Sequence, residues 1–125
     1  MKRVLSVAAL ALAGSTTLVA CGGGAPTDAS EEDFCSSIDT AFEDIAAEGE
    51  KEGDEEIDFS GAIDELESTG TPEDIPDDAR SGYEAFIEAL NDVNGETVDD
   101  AEDIDDPTEG DDGEAFGTYY AETCA

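Results

Sequence analysis

Thirty-six Asp and Glu side chains stand against four Lys and Arg in this chain of 125 residues, a net charge of −32. Screening reaches only about 8 Å at physiological salt, so neighbouring carboxylates on a folded surface still repel one another. A fold is compatible with that repulsion only if enough apolar surface is buried on one side of each element while the other side stays wetted; otherwise chain entropy wins and the segment stays disordered. Apolar periodicity therefore decides the matter. From Phe34 onward the apolar residues Phe34, Ile38, Ala41, Phe42 and Ile45 recur at the i, i+4, i+7, i+8, i+11 spacing of one helix face. Ser30 supplies an N-cap, Glu31, Glu32 and Asp33 put acid in the first turn where the helix dipole favours it, and Gly49 supplies a stop. The spacing predicts a helix over residues 31–48.

Three more helices follow from the same reasoning. Phe59, Ala62, Ile63 and Leu66 share a face, with Gly70 at the C-cap position. Pro76, Asp77 and Asp78 open a segment whose stripe is Ala79, Tyr83, Phe86, Ile87, Leu90 and Val93, closed by Asn94-Gly95. A last helix near 112–124 groups Phe116 with Tyr119, Tyr120 and Thr123. No stretch alternates apolar and polar residues long enough for a strand. The expected fold is all-α, a bundle of about four helices in up-down-up-down order with a long connection at 96–111.

The N-terminus carries a different signal. Lys2 and Arg3 precede an apolar run, Val4 to Ala13, that is interrupted by Gly14, Ser15, Thr16 and Thr17. A run this short is about half of the roughly 20 residues a spanning helix needs, so it reads as a removable export signal. Leu18-Val19-Ala20-Cys21 at its end resembles the bacterial lipobox. That resemblance covers residues 1–21 and implies diacylglycerol on the Cys21 thiol and cleavage before Cys21. Two acyl chains hold a protein on a bilayer where one does not, each buried CH2 contributing about 0.8 kcal/mol. The expected organisation is a signal peptide at 1–20, the lipidated Cys21 with a flexible tether through residue 29, and an acidic α-helical domain at 30–125. Gly22-Gly23-Gly24 belongs to the tether: neither the Gly-Lys-Ser/Thr of a phosphate loop nor a preceding strand accompanies it. The remainder is similar in composition to the small acidic lipoproteins of high-GC Gram-positive bacteria, a likeness that transfers no active residues.

Export places the domain in an oxidising compartment, which bears on its two remaining cysteines. Cys35 falls in the first turn of the first helix and Cys124 at the end of the last, and an even-numbered antiparallel bundle brings those ends together. A Cys35 to Cys124 disulfide is expected; closing a loop of about 90 residues contributes roughly 4 to 5 kcal/mol on loop-entropy grounds.

The same inventory narrows function. Once Lys2 and Arg3 leave with the signal, Lys51 and Arg80 alone face 36 carboxylates, a net charge of −34. Nucleic acid is excluded as a partner, because binding it rests on neutralising phosphates with Lys and Arg. The chain has no His and no Trp, and with its cysteines committed to lipid and disulfide no thiol nucleophile remains. The acidic run at 99–114 is dense in oxygen ligands. An EF-hand count from Asp105 nevertheless places Pro107 at position three and Phe116 at position twelve, so it reads as a solvated charge run, with Asp103, Asp105 and Asp111 as candidates for weak Ca²⁺ binding. No dedicated cofactor is expected. The expected function is non-enzymatic: a binding or interaction module, lipid-anchored on the outer face of the cell membrane and engaging an envelope protein or a solute. A carboxylate-dependent cell-wall hydrolase and a passive, cation-retaining surface component stay open as alternatives. Labelling cells with a clickable fatty acid is expected to mark the wild-type chain and not Cys21→Ser, which should also keep its first 20 residues; label persisting on the variant would remove the anchor.

Overall fold

Two antiparallel helical hairpins lie side by side in the computed structural model, which describes residues 25–102 and 109–125. The elements are α1 (Glu31–Glu48), α2 (Ser60–Thr69), α3 (Asp77–Val93), α4 (Val98–Ala101) and α5 (Asp111–Thr123). α1 begins as its sequence requires: Ser30 is extended, and its hydroxyl accepts the Asp33 amide at 3.1 Å and donates to the Asp33 carboxylate at 2.8 Å. α2 is launched by Asp58, whose carboxylate accepts both the amide and the hydroxyl of Ser60. The order is up-down-up-down. Ser30 and Asp33 of the α1 end face Ser68 and Thr69 at the close of α2, the Phe59 amide before α2 donates to the Asn94 side chain after α3 at 2.7 Å, and Pro76 and Ala79 share a groove with Tyr119 and Glu122.

Fifteen apolar residues are buried among those described, drawn from α1, the segment before α2, α2, Ile75, α3 and α5. Tyr83 sits at their centre. It is wholly buried; its hydroxyl donates to the Leu66 carbonyl at 2.7 Å, and its ring meets Phe34 and Phe116 at centroid distances of 5.7 Å each. Helices α1, α2, α3 and α5 thus touch at one side chain.

Three features differ from the sequence-based expectation. The 96–111 connection is not featureless: Thr97 caps a fifth, one-turn helix, α4, by accepting the Asp100 amide and donating to its carboxylate. That Thr-x-x-Asp pattern is the acidic form of a capping box. Ahead of α4, the charged connector after α1 pairs with the chain after α3: the Ile57 amide donates to the Glu96 carbonyl, the Gly95 amide donates to the Ile57 carbonyl, Val98 donates to Glu55, and Glu56 and Thr97 form an antiparallel bridge. A bridge this short leaves no strand signature in the sequence. Third, the segment expected to be tether is docked at its end. Thr71 donates to the Pro26 carbonyl at 2.9 Å, Ala29 donates to the Thr71 carbonyl at 3.1 Å, and Ala25 and Ala29 pack against the core. Gly70 is required twice here, since its φ of 73° disfavours a side chain and a Cβ would come within 1.9 Å of the Pro26 oxygen.

The expected staple is present. Cys35 and Cys124 are bonded with their Cα atoms 5.5 Å apart, closing a separation of 89 residues. The second hairpin is drawn tight by Gly82, where a Cβ would meet the Asp112 carbonyl oxygen at 2.1 Å and the Phe116 Cβ at 2.7 Å. Gly117, on the same α5, has nothing within 4 Å of such a Cβ. The two glycines should therefore respond oppositely in thermal unfolding. Gly82→Ala is expected to destabilise by about 1 to 3 kcal/mol, as overpacking does, and Gly117→Ala to stabilise by roughly 0.5 to 1 kcal/mol through helix propensity. Each kcal/mol corresponds to about 4 to 8 °C in a domain of this size. A Gly82→Ala protein as stable as wild type would contradict the α3–α5 register.

Candidate functional site

The apolar stripe of α1 is wider than the core it faces. Phe34, Ile38 and Ala41 are buried, while Ile45 is half-buried and Phe42, one position round from Ala41, is 43% exposed. It is the large hydrophobic side chain left exposed among the described residues. Phe42 is not isolated. Its ring lies 6.0 Å from Phe86 of α3 and meets Tyr120 of α5 edge-on at 5.7 Å, while Phe86 continues to Phe116 at 5.9 Å. An unbroken aromatic path thus runs from Tyr83 in the core to Phe42 at the surface.

It surfaces where α1 passes α5, a sparser contact than those of α1 with α2 or of α3 with α5. The disulfide holds one end of this seam, and beside Phe42 a polar bond crosses it: the Tyr120 hydroxyl donates to Asp39 Oδ1 at 2.5 Å. The adjacent tyrosines diverge as their helix requires. Tyr120 turns to Phe42, whereas Tyr119 sets its edge on Phe34 at 5.7 Å, and both are half-buried. The seam was not legible in the sequence, which assigns Phe42 to the core stripe and offers no sign that Asp39 would find a tyrosine 81 positions away.

Carboxylates crowd the rest of the described surface. Asp44 and Glu48 are half-buried and every other described Asp and Glu is exposed. A cleft of about 420 Å³ between the docked N-terminal segment, α1 and α2 is lined by Asp28, Asp33 and Glu65 with the hydroxyls of Ser30, Ser36 and Ser68. Lys51 is engaged by Glu48 at 2.5 Å and by the Glu56 carbonyl at 2.8 Å. Its hydrogen bond to Glu48 holds that carboxyl below the usual range, helped by the Asp58 amide. Of the residues singled out from sequence, Cys35 and Cys124 are joined and Asp111 is exposed in the first turn of α5. Cys21, Asp103 and Asp105 lie outside the described residues. Among the described residues no three carboxylate or cysteine side chains converge as a metal cage.

No family model, curated protein or solved structure matches the chain.

All three tyrosines are shifted upward. Burial pushes the Tyr83 phenol far above its usual value and also raises Tyr119, while the hydrogen bond to Asp39 leads in raising Tyr120. A folded-state pKa above the unfolded value means that the unfolded chain loses its proton first, so stability is complete below the unfolded pKa of about 10 and falls as pH rises beyond it. With no Trp and only these three Tyr, absorbance near 295 nm is expected to show tyrosinate appearing together with loss of helicity. Three tyrosinates forming with helicity intact would contradict the buried Tyr83.

Proposed function

We propose that the chain is a lipid-anchored extracytoplasmic binding module, held by Cys21 on the outer face of the cell membrane and presenting the α1–α5 seam to a partner in the envelope. The anchor rests on Leu18-Val19-Ala20-Cys21 at the end of a short apolar run. The Cys35–Cys124 disulfide supports the location, since such bonds persist in oxidising compartments. The binding role is carried by one observation, the exposed Phe42 ring continuous with the aromatic core. Burying the rest of that ring offers a partner apolar contact on a surface otherwise dominated by charge.

Geometry supports presentation. With residues 26–29 docked beside Gly70 and Thr71, the four residue steps from Cys21 to Ala25 span at most roughly 14 Å fully extended, at about 3.3 to 3.6 Å per residue. The end of the bundle where α1 starts therefore lies toward the bilayer. α1, 18 residues long, runs away from it for about 27 Å at 1.5 Å per residue. Phe42 falls in the outer half. The hydrolase alternative requires two facing carboxylates drawn out of water, one of them to stay protonated. The described carboxylates are exposed, or half-buried at Asp44 and Glu48, which supports the binding reading over it.

The experiment is cross-linking of the full chain, tagged after Ala125, in intact cells. One defined envelope partner is expected, recovered with the membrane-bound chain and reduced several-fold by Phe42→Ala. Release of sugar fragments from cell-wall polymer by the purified chain, abolished by a single Asp→Asn or Glu→Gln change, would replace this reading with the hydrolase.

A further inference from the structure

We infer that the α1–α5 seam docks a basic amphipathic segment of its partner, one that sets an apolar side chain against Phe42 and Lys or Arg side chains against Asp39 and Glu43; the inference rests on the binding role proposed above. Three occupants could cover an exposed aromatic ring: a second copy of this chain, a neutral apolar surface, or a cationic one. Charge separates them. A second copy would bring another 36 acidic residues, against four basic ones, to face the first, and like charges juxtaposed at an interface oppose association. A neutral surface would strip water from the carboxylates flanking the ring and return nothing, because Asp39 and Glu43 share the exposed side of α1 with Phe42. The chain cannot neutralise them with its own described cations. Lys51 is held at Glu48 and Glu56, and Arg80 lies nearest Asp77 at 3.8 Å. A cationic segment satisfies both requirements together: its apolar face meets Phe42, while its Lys and Arg replace water around the flanking carboxylates.

Asp39 has a second role in this arrangement. By accepting the Tyr120 hydroxyl it fixes the Tyr120 ring edge-on to Phe42, so the aromatic face is set before a partner arrives. An ordered aromatic contact loses less rotational freedom on binding than a loose one. The hydroxyl occupies one oxygen of Asp39 and leaves the other for an incoming cation.

The test uses the full chain in phosphatidylcholine nanodiscs and two labelled synthetic peptides of equal length and charge: an amphipathic Lys/Leu helix with one Phe on its apolar face, and a Lys/Ser peptide without apolar residues. Anisotropy at about 0.15 M salt, where screening length is near 8 Å, is corrected with empty nanodiscs. Phe42→Ala is expected to weaken the Lys/Leu peptide at least about tenfold, as loss of a central aromatic anchor does, and to leave the Lys/Ser peptide within roughly twofold. Asp39→Asn with Glu43→Gln should weaken both peptides and flatten the salt dependence, whereas Glu73→Gln with Asp74→Asn, in the turn between α2 and α3 beside Glu31, should do neither. Phe42 is already exposed, so helicity and thermal midpoint are measured to show that the variant folds. Equal binding of the Lys/Leu peptide by wild type and Phe42→Ala overturns the inference, as do equal losses from the two carboxylate pairs, tighter binding of an uncharged apolar peptide, or dimers in sedimentation that Phe42→Ala abolishes. None of these results bears on the Cys21 anchor. Failure of the anchor in cells would in turn leave the peptide measurements standing.

Discussion

The Tyr83 phenol is the point on which the bundle depends. A chain with this much charge has little apolar surface to bury, and it concentrates what it has around one ring: Phe34 from α1, the Leu66 carbonyl from α2 and Phe116 from α5 all meet Tyr83 of α3. The hydroxyl makes a tyrosine suit this place better than a phenylalanine. Near the end of α2 the carbonyls lack helical partners, and that of Leu66 accepts both the Gly70 amide and the phenol. A buried hydroxyl without such a partner would cost about 1 to 3 kcal/mol. With it, a polar group specifies how far α2 and α3 are offset.

Repulsion explains where the covalent staple sits. Acid occupies the first turns of α1, α3, α4 and α5, where it complements the helix dipole, but none of the five described helices carries a basic residue in its last turn. The C-termini rely instead on backbone and glycine. Gly49 and Gly70 donate to the Ile45 and Leu66 carbonyls as the chain leaves α1 and α2. Such devices settle individual ends and add no attraction between helices. Contact between α1 and α5 is sparse, and it is there that Cys35 and Cys124 are joined. The bond thus ties two helices that otherwise touch along little of their length.

The helices were legible because their signals are local. Ser30, Gly49, Gly70 and Asn94 mark ends that the structure places at those positions, and the stripe of α3 is buried except at Val93. The disulfide was legible because an even number of antiparallel helices brings Cys35 and Cys124 to one end, and the expected export made their pairing the economical reading. What escaped depends on pairing across the chain. The bridge between Glu56 and Thr97 and the docking of Pro26 on Thr71 use backbone groups, which every residue has. The candidate site escaped for a related reason. Periodicity tells which residues share a face and not how wide the neighbouring helices cover it, so Ala41 and Phe42 look alike in sequence, while Ala41 is wholly buried and Phe42 stands at the edge.

Behind that edge lies the close approach of α5 to α3, where the Asp112 carbonyl occupies the space a side chain would take at Gly82. Phe116, buried by the same approach, completes the cage around Tyr83 and carries the aromatic path through Phe86 to Phe42. The exposed aromatic is thus tied to the core by geometry: the disulfide and the Asp39–Tyr120 hydrogen bond keep α1 and α5 in register beside the aromatic contacts that join them.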